Sequence, residues 1–186
     1  MNVTQEKQAV ILRGALVAGM IALAAASRIV AHPWNLTPVG AMALFSGAMV
    51  RNRWMAVLLP LACLFAGDIF VGFYKLMIVV YMSFAISVAI GRWLGKSRTV
   101  GRIVGAVFLG ALQFFVITNF AVWAISGYYP KTVVGLATCF ANGVPYFWNT
   151  IGGDGLYAGI LFGGFALAEK MVPALRSLES RQALAR

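Results

Sequence analysis

Long uninterrupted apolar stretches constrain this chain more than any other feature. They cover about residues 8–29, 54–72, 76–94, 102–125 and 148–172, with a shorter one over 38–50. A hydrocarbon core is about 30 Å thick and a helix rises about 1.5 Å per residue, so about 20 apolar residues cross it. In lipid each backbone N–H and C=O must bond internally, which leaves helices or closed barrels. A barrel reads as short alternating segments, whereas these runs are continuous. The sequence therefore predicts an all-α integral membrane protein, a six-helix bundle with a short second helix, in a single domain over 1–186. Charged residues make up only 11% of the chain, against about 25% in soluble domains.

The net charge of +10 does not point to nucleic acid, because the basic residues sit at the ends of the apolar runs. Placing the N-terminus inside puts twelve of the fifteen Lys and Arg on the inner side, leaving Arg28, Lys75 and Lys131 outside. Such an asymmetry over short loops predicts a multi-pass protein of the cytoplasmic (inner) membrane with both termini cytoplasmic. Gly14–Ala26, with Ala24-Ala25-Ala26, also resembles a signal peptide and its cleavage site. It is read here as a retained transmembrane helix. Ala18, Ala22 and Ala26 recur every four residues, extended by Gly14, and form a small-residue face suited to close helix approach. That face serves either internal packing or the docking of a separate subunit.

The chain is organised around His32-Pro33-Trp34-Asn35-Leu36-Thr37-Pro38, which holds the only histidine. Each proline pushes the residue before it away from helical angles. Thr37-Pro38 reads as an N-cap followed by proline at the first helical position. The helix that follows, about 38–50, is too short to cross a membrane alone. Irregular backbone at membrane depth survives only when protein buries it or it lines a cavity. The segment is therefore expected to help wall an outward-facing cavity.

Several polar residues fall at similar depth: Asp68 on helix 3, Tyr81 on helix 4, Asn119 and Trp123 on helix 5, and Asp154 on helix 6. His32, Trp34 and Asn35 can descend to the same level. Intramembrane acids are costly and therefore functional candidates. Each also has a plainer reading. Asp68 pairs with Lys75 or Arg28 to fix a loop, and Asp154, among Gly152, Gly153 and Gly155, lies in an interfacial turn. His32 caps backbone, Asn119 bridges helices, and Trp34 and Trp123 belong to an aromatic belt. Residues 126–147 are less apolar and read as an external excursion with a short interfacial helix near 131–141. With one histidine and five acids, no catalytic metal centre is expected, and Cys63 and Cys139 have no disulfide or zinc spacing. No nucleophile–base pair or phosphate loop marks an enzyme.

The run His32 to Phe45 resembles the signature of a bacterial membrane family of uncharacterised function. So do Gly67-Asp68 with Gly72-Phe73, Val80-Tyr81, Thr118-Asn119-Phe120-Ala121-Val122-Trp123 and Tyr129-Pro130-Lys131-Thr132. That family is similar to the substrate-binding S components of energy-coupling-factor (ECF) vitamin transporters, with solitary cobalamin proteins of the BtuM type nearest in size. The resemblance implies a six-helix protein that captures a vitamin or related small molecule outside. It would dock through an Ala-x-x-x-Ala face, here Ala18, Ala22 and Ala26, on a coupling subunit driven by two ATPases. BtuM-type proteins place a cobalt-ligating cysteine near the start of helix 4, where this chain has Tyr81 and no cysteine; the resemblance leaves Cys139, in the outer loop, as the substitute thiol.

The expected function is thus a substrate-binding membrane subunit, without an intrinsic cofactor, for a vitamin or cofactor precursor, with cobalamin-type ligands included. The expected binding residues are His32, Trp34, Asn35, Asp68, Tyr81, Asn119, Trp123 and Asp154. The alternatives are a membrane scaffold or accessory subunit with a lipid-filled cavity, or an enzyme using Asp68 and Asp154 as acid and base.

Overall fold

The computed structural model describes residues 3–26, 35–95, 97–172 and Leu175. All its regular elements are helices: α1 (Val3–Ala26), α2 (Val39–Met49), α3 (Arg53–Val71), α4 (Met77–Leu94), α5 (Val100–Ile125) and α6 (Val133–Met171). Five of them are long and apolar enough to cross a membrane, and α2 is the exception. The outward surface is apolar, with Val10, Leu23, Phe70, Ile78 and Val100 each more than two-thirds exposed. In water such a surface would aggregate; in lipid it is the solvated face. This is a multi-pass membrane protein.

The short helix forms the centre. α2 touches every other helix, and the other five touch one another in the ring order α1–α3–α4–α5–α6 and back to α1. Each residue of α2 from Val39 to Gly47 is buried. Eleven residues make a rod of about 16 Å inside a ring of helices far longer. Its composition permits the burial, since Gly40, Ala41, Ala43, Ser46 and Gly47 let neighbouring backbones come close. A Cβ on Gly47 would overlap the Val88 carbonyl oxygen, and one on Gly91 of α4 would overlap that of Leu44. The two helices therefore meet backbone to backbone. The larger α2 side chains fill the remaining gaps: Phe45 packs edge-on to Phe162, with ring centroids 5.2 Å apart, and to Phe165 at 5.9 Å.

At the basic end, the Asn52 side chain caps α3 by accepting from the amides of Trp54 (2.9 Å) and Met55 (3.2 Å). Arg92 donates to the carbonyls of Val50 and Arg51. Arg13 pairs with Glu169 at 2.6 Å and donates to the Leu175 carbonyl. Arg98, in the loop before α5, has its pKa lowered, first by desolvation, although Glu169 opposes the shift.

Two expectations need correction. Thr37 does not cap α2: Pro38 occupies the N-cap position without a side-chain bond, and the cap comes from another helix, as described below. The external excursion shrinks to the turn 126–132, and α6 begins at Val133 instead of near Trp148. Thr132 starts it by accepting from the Gly135 amide at 3.1 Å. Gly135, Cys139 and Gly143 then lie buried in its first half, so α6 continues along α5. Pro145 sits inside the helix, where it forgoes one backbone bond.

Candidate functional site

The described residues among the polar ones singled out in the sequence occupy three separate places. The first is the head of α2. Its opening amides have no partner within the helix, and the Asp154 carboxylate of α6 meets them. Asp154 accepts from the Ala41 amide at 2.9 Å and from the Gly40 amide. A carboxylate at a helix N-terminus also complements the positive end of the helix dipole. Gly40 makes room for it, because a Cβ there would land on the carboxylate itself. Asp154 is 3% exposed and enclosed by protein.

The second place joins α3 to α4. Asp68 is fully buried, and the Tyr81 hydroxyl donates to its Oδ2 at 2.8 Å.

The third place is a cavity of about 610 Å³ between the C-terminal half of α5 and the N-terminal half of α6. From α5 it takes Phe114, Phe115, Thr118, Asn119 and Val122; from α6, Cys139, Asn142, Gly143, Tyr146, Phe147 and Thr150; from the connecting segments, Asn35 and Tyr129. The Asn119 Nδ2 donates to the Phe115 carbonyl at 2.8 Å, which fixes its Oδ1 as an acceptor. Gly143 faces that carboxamide so closely that a Cβ would strike it. The Cys139 thiol donates to the Asn119 carbonyl at 3.4 Å, and Asn142 Nδ2 donates to the Tyr129 hydroxyl at 3.2 Å. Phe115 and Phe147 stand 5.0 Å apart, and Phe115 also meets Phe140 edge-on at 5.4 Å.

One end of the cavity is fixed by the turn from α5 to α6. Trp123 Nε1 donates to the Pro130 carbonyl at 2.9 Å. Lys131 donates to the Trp123 carbonyl and lies over its ring at 5.3 Å. The two sequence stretches Thr118–Trp123 and Tyr129–Thr132 thus build one corner.

Of the expected binding residues, Asn35 and Asn119 line the cavity. Trp123 braces its corner, while Asp68, Tyr81 and Asp154 bond elsewhere and do not line it. His32 and Trp34 lie outside the described residues. Asn35 itself adopts φ 63°, a left-handed turn conformation that asparagine tolerates. Cys139, Asn142, Tyr146 and Thr150 were not singled out as binding residues from the sequence, although their spacings of three and four are those of one helix face. Among the described residues, no three His, Cys, Asp or Glu side chains come together.

The open face of α1 is a separate feature. Ala22 and Ala26 are exposed, Ala18 is half-buried, and a Cβ on Gly14 would meet nothing within 4 Å. The helix packs inward through Val17, Ile21 and Ala24 instead.

No curated protein and no solved structure matches this chain. One family match runs over residues 8–175, taking in the ring, the central helix and the cavity: the chain belongs to the family of unknown function DUF6580.

Proposed function

We propose that this protein is a substrate-binding membrane subunit that takes up a vitamin or cofactor precursor, with the α5–α6 cavity as its ligand site. The observation that carries the reading is the cavity. At about 610 Å³ it falls within the roughly 300–1,000 Å³ typical of small-molecule sites, and it combines aromatic walls with a few converging polar groups. The Asn119 Oδ1 and the Asn142 carboxamide lie along this space, where a bound ligand can pair with them.

In this reading the basic end faces the cytoplasm of a bacterial cell, with both termini, and the cavity lies toward the outside. The open α1 face of Ala18, Ala22 and Ala26 then receives a coupling subunit powered by ATPases, as in S components. Support for that face is its exposure and its small residues. The protein binds its substrate and does not transform it.

The test is mass spectrometry of small molecules released by denaturing the purified full chain in nanodiscs. One compound at near-equal molar ratio to protein, absent from empty nanodiscs, is expected. Release of lipid alone would favour the scaffold reading, with acyl chains filling the cavity.

A further inference from the structure

Resting on the reading of the α5–α6 cavity as a ligand site, we infer that its ligand is an uncharged planar nitrogen heterocycle bearing amide- or imide-type donors and acceptors. Among the described residues no charged side chain lines the cavity. The nearby charges are engaged elsewhere: Lys131 on the Trp123 carbonyl and ring, Asp154 on the head of α2. A ligand seated against Phe115, Asn119 and Phe147 sheds part of its water, and a full charge would find no opposite charge among the lining residues to replace that water.

The hydrogen-bonding capacity left over defines what fits instead. Asn119 uses its Nδ2 on the Phe115 carbonyl, which leaves its Oδ1 to accept. Asn142 uses its Nδ2 on Tyr129, which leaves the Asn142 Oδ1 to accept and the Tyr129 proton to donate. The Asn35 carboxamide supplies both kinds of group. Acceptors and donors therefore stand together in one neutral site, which is the complement of a lactam, imide or carboxamide edge. Phe115 and Phe147 offer aromatic surface to the flat face of such a ring.

The experiment separates charge from binding. A cell extract is split by ion exchange at neutral pH into neutral, anionic and cationic small-molecule pools. Each pool is incubated with the full chain in nanodiscs, and retained compounds are identified by mass spectrometry and ultraviolet absorbance. The expected result is an aromatic compound retained from the neutral pool alone, with retention about tenfold lower in Asn119→Leu. If that variant does not purify as a single species, Gly143→Ala, whose new Cβ strikes the same carboxamide, takes its place. A compound retained from the anionic or cationic pool, or one without an aromatic ring, overturns the inference on ligand class while leaving the binding role intact. Retention from no pool overturns both.

Discussion

Asp154 at the head of α2 and Asn119 on α5 are both polar groups in apolar helices, yet they meet opposite surroundings. Around Asp154 the protein supplies the partners, the Gly40 and Ala41 amides, and leaves no spare room. Around Asn119 the protein satisfies only the amino group and leaves the carbonyl oxygen beside a cavity. The contrast runs against the intuition that a buried charge marks the binding site. In the proposed reading the charges stabilise the fold, and the neutral amides are the groups left for a ligand.

The largest effect is expected where backbones touch. Gly47→Ala or Gly91→Ala forces a methyl against a backbone carbonyl of the facing helix, Val88 of α4 or Leu44 of α2. Overpacking costs about 1–3 kcal/mol where side chains can yield, and here only backbone is available to move. Size-exclusion profiles should show little or no monodisperse protein for either variant. A normal profile would mean that α2 and α4 are less tightly joined than described.

Next comes Asp154→Ala, which strips the cap from α2 and leaves two buried amides unpaired. Hydrogen bonds to a charged group are worth about 1.5–3 kcal/mol, or about 3–12 °C in Tm for a chain of this size. The drop should appear in a thermal melt of the purified protein. Stability equal to that of the wild type would separate Asp154 from the fold and reopen it as a ligand group.

Asn119→Leu should do the reverse. Ligand affinity, read by calorimetry with the compound recovered from the wild type, is expected to fall about 5- to 150-fold, with Tm nearly unchanged. A large loss of stability with no loss of affinity would make Asn119 a bridging amide and erase the comparison. The smallest effect belongs to Trp123→Phe, which removes one bond to Pro130 at a half-exposed corner while keeping a ring under Lys131. About 0.5–1.5 kcal/mol of local stability is at stake, measurable as faster hydrogen exchange in the 126–132 turn.

Much of this architecture is written in the sequence, and the missing part has a physical cause. The spans of α3, α4 and α5 follow from continuous apolar runs between basic loops. The shortness of α2 follows from Pro38 before it and Arg51-Asn52-Arg53 after it. Residues 133–147 read as an external excursion with only a short interfacial helix because Pro145 and the polar Asn142 and Tyr146 dilute the apolar signal. Their role emerges only once α5 lies alongside, where Gly143 meets the Asn119 carboxamide, while Gly135 packs on Pro130 of the turn. Depth along an axis can be estimated from residue spacing, but the neighbour across the helix cannot. Asp68, Asn119 and Asp154, placed at one level by their spacing, therefore turn out to face Tyr81, the α5–α6 cavity and the head of α2. The last partnership joins residues 113 positions apart, beyond any local pattern.

The central claim is tested most directly by the occupancy of copurified small molecule, measured side by side in wild type, Asn119→Leu and Asp68→Asn. All three are purified in nanodiscs and denatured for quantitative mass spectrometry. Near-stoichiometric compound in the wild type and in Asp68→Asn, with most of it lost from Asn119→Leu, is the result expected. An Asp68→Asn protein that comes out empty beside a filled Asn119→Leu protein would contradict the account and move the site to the buried carboxylate.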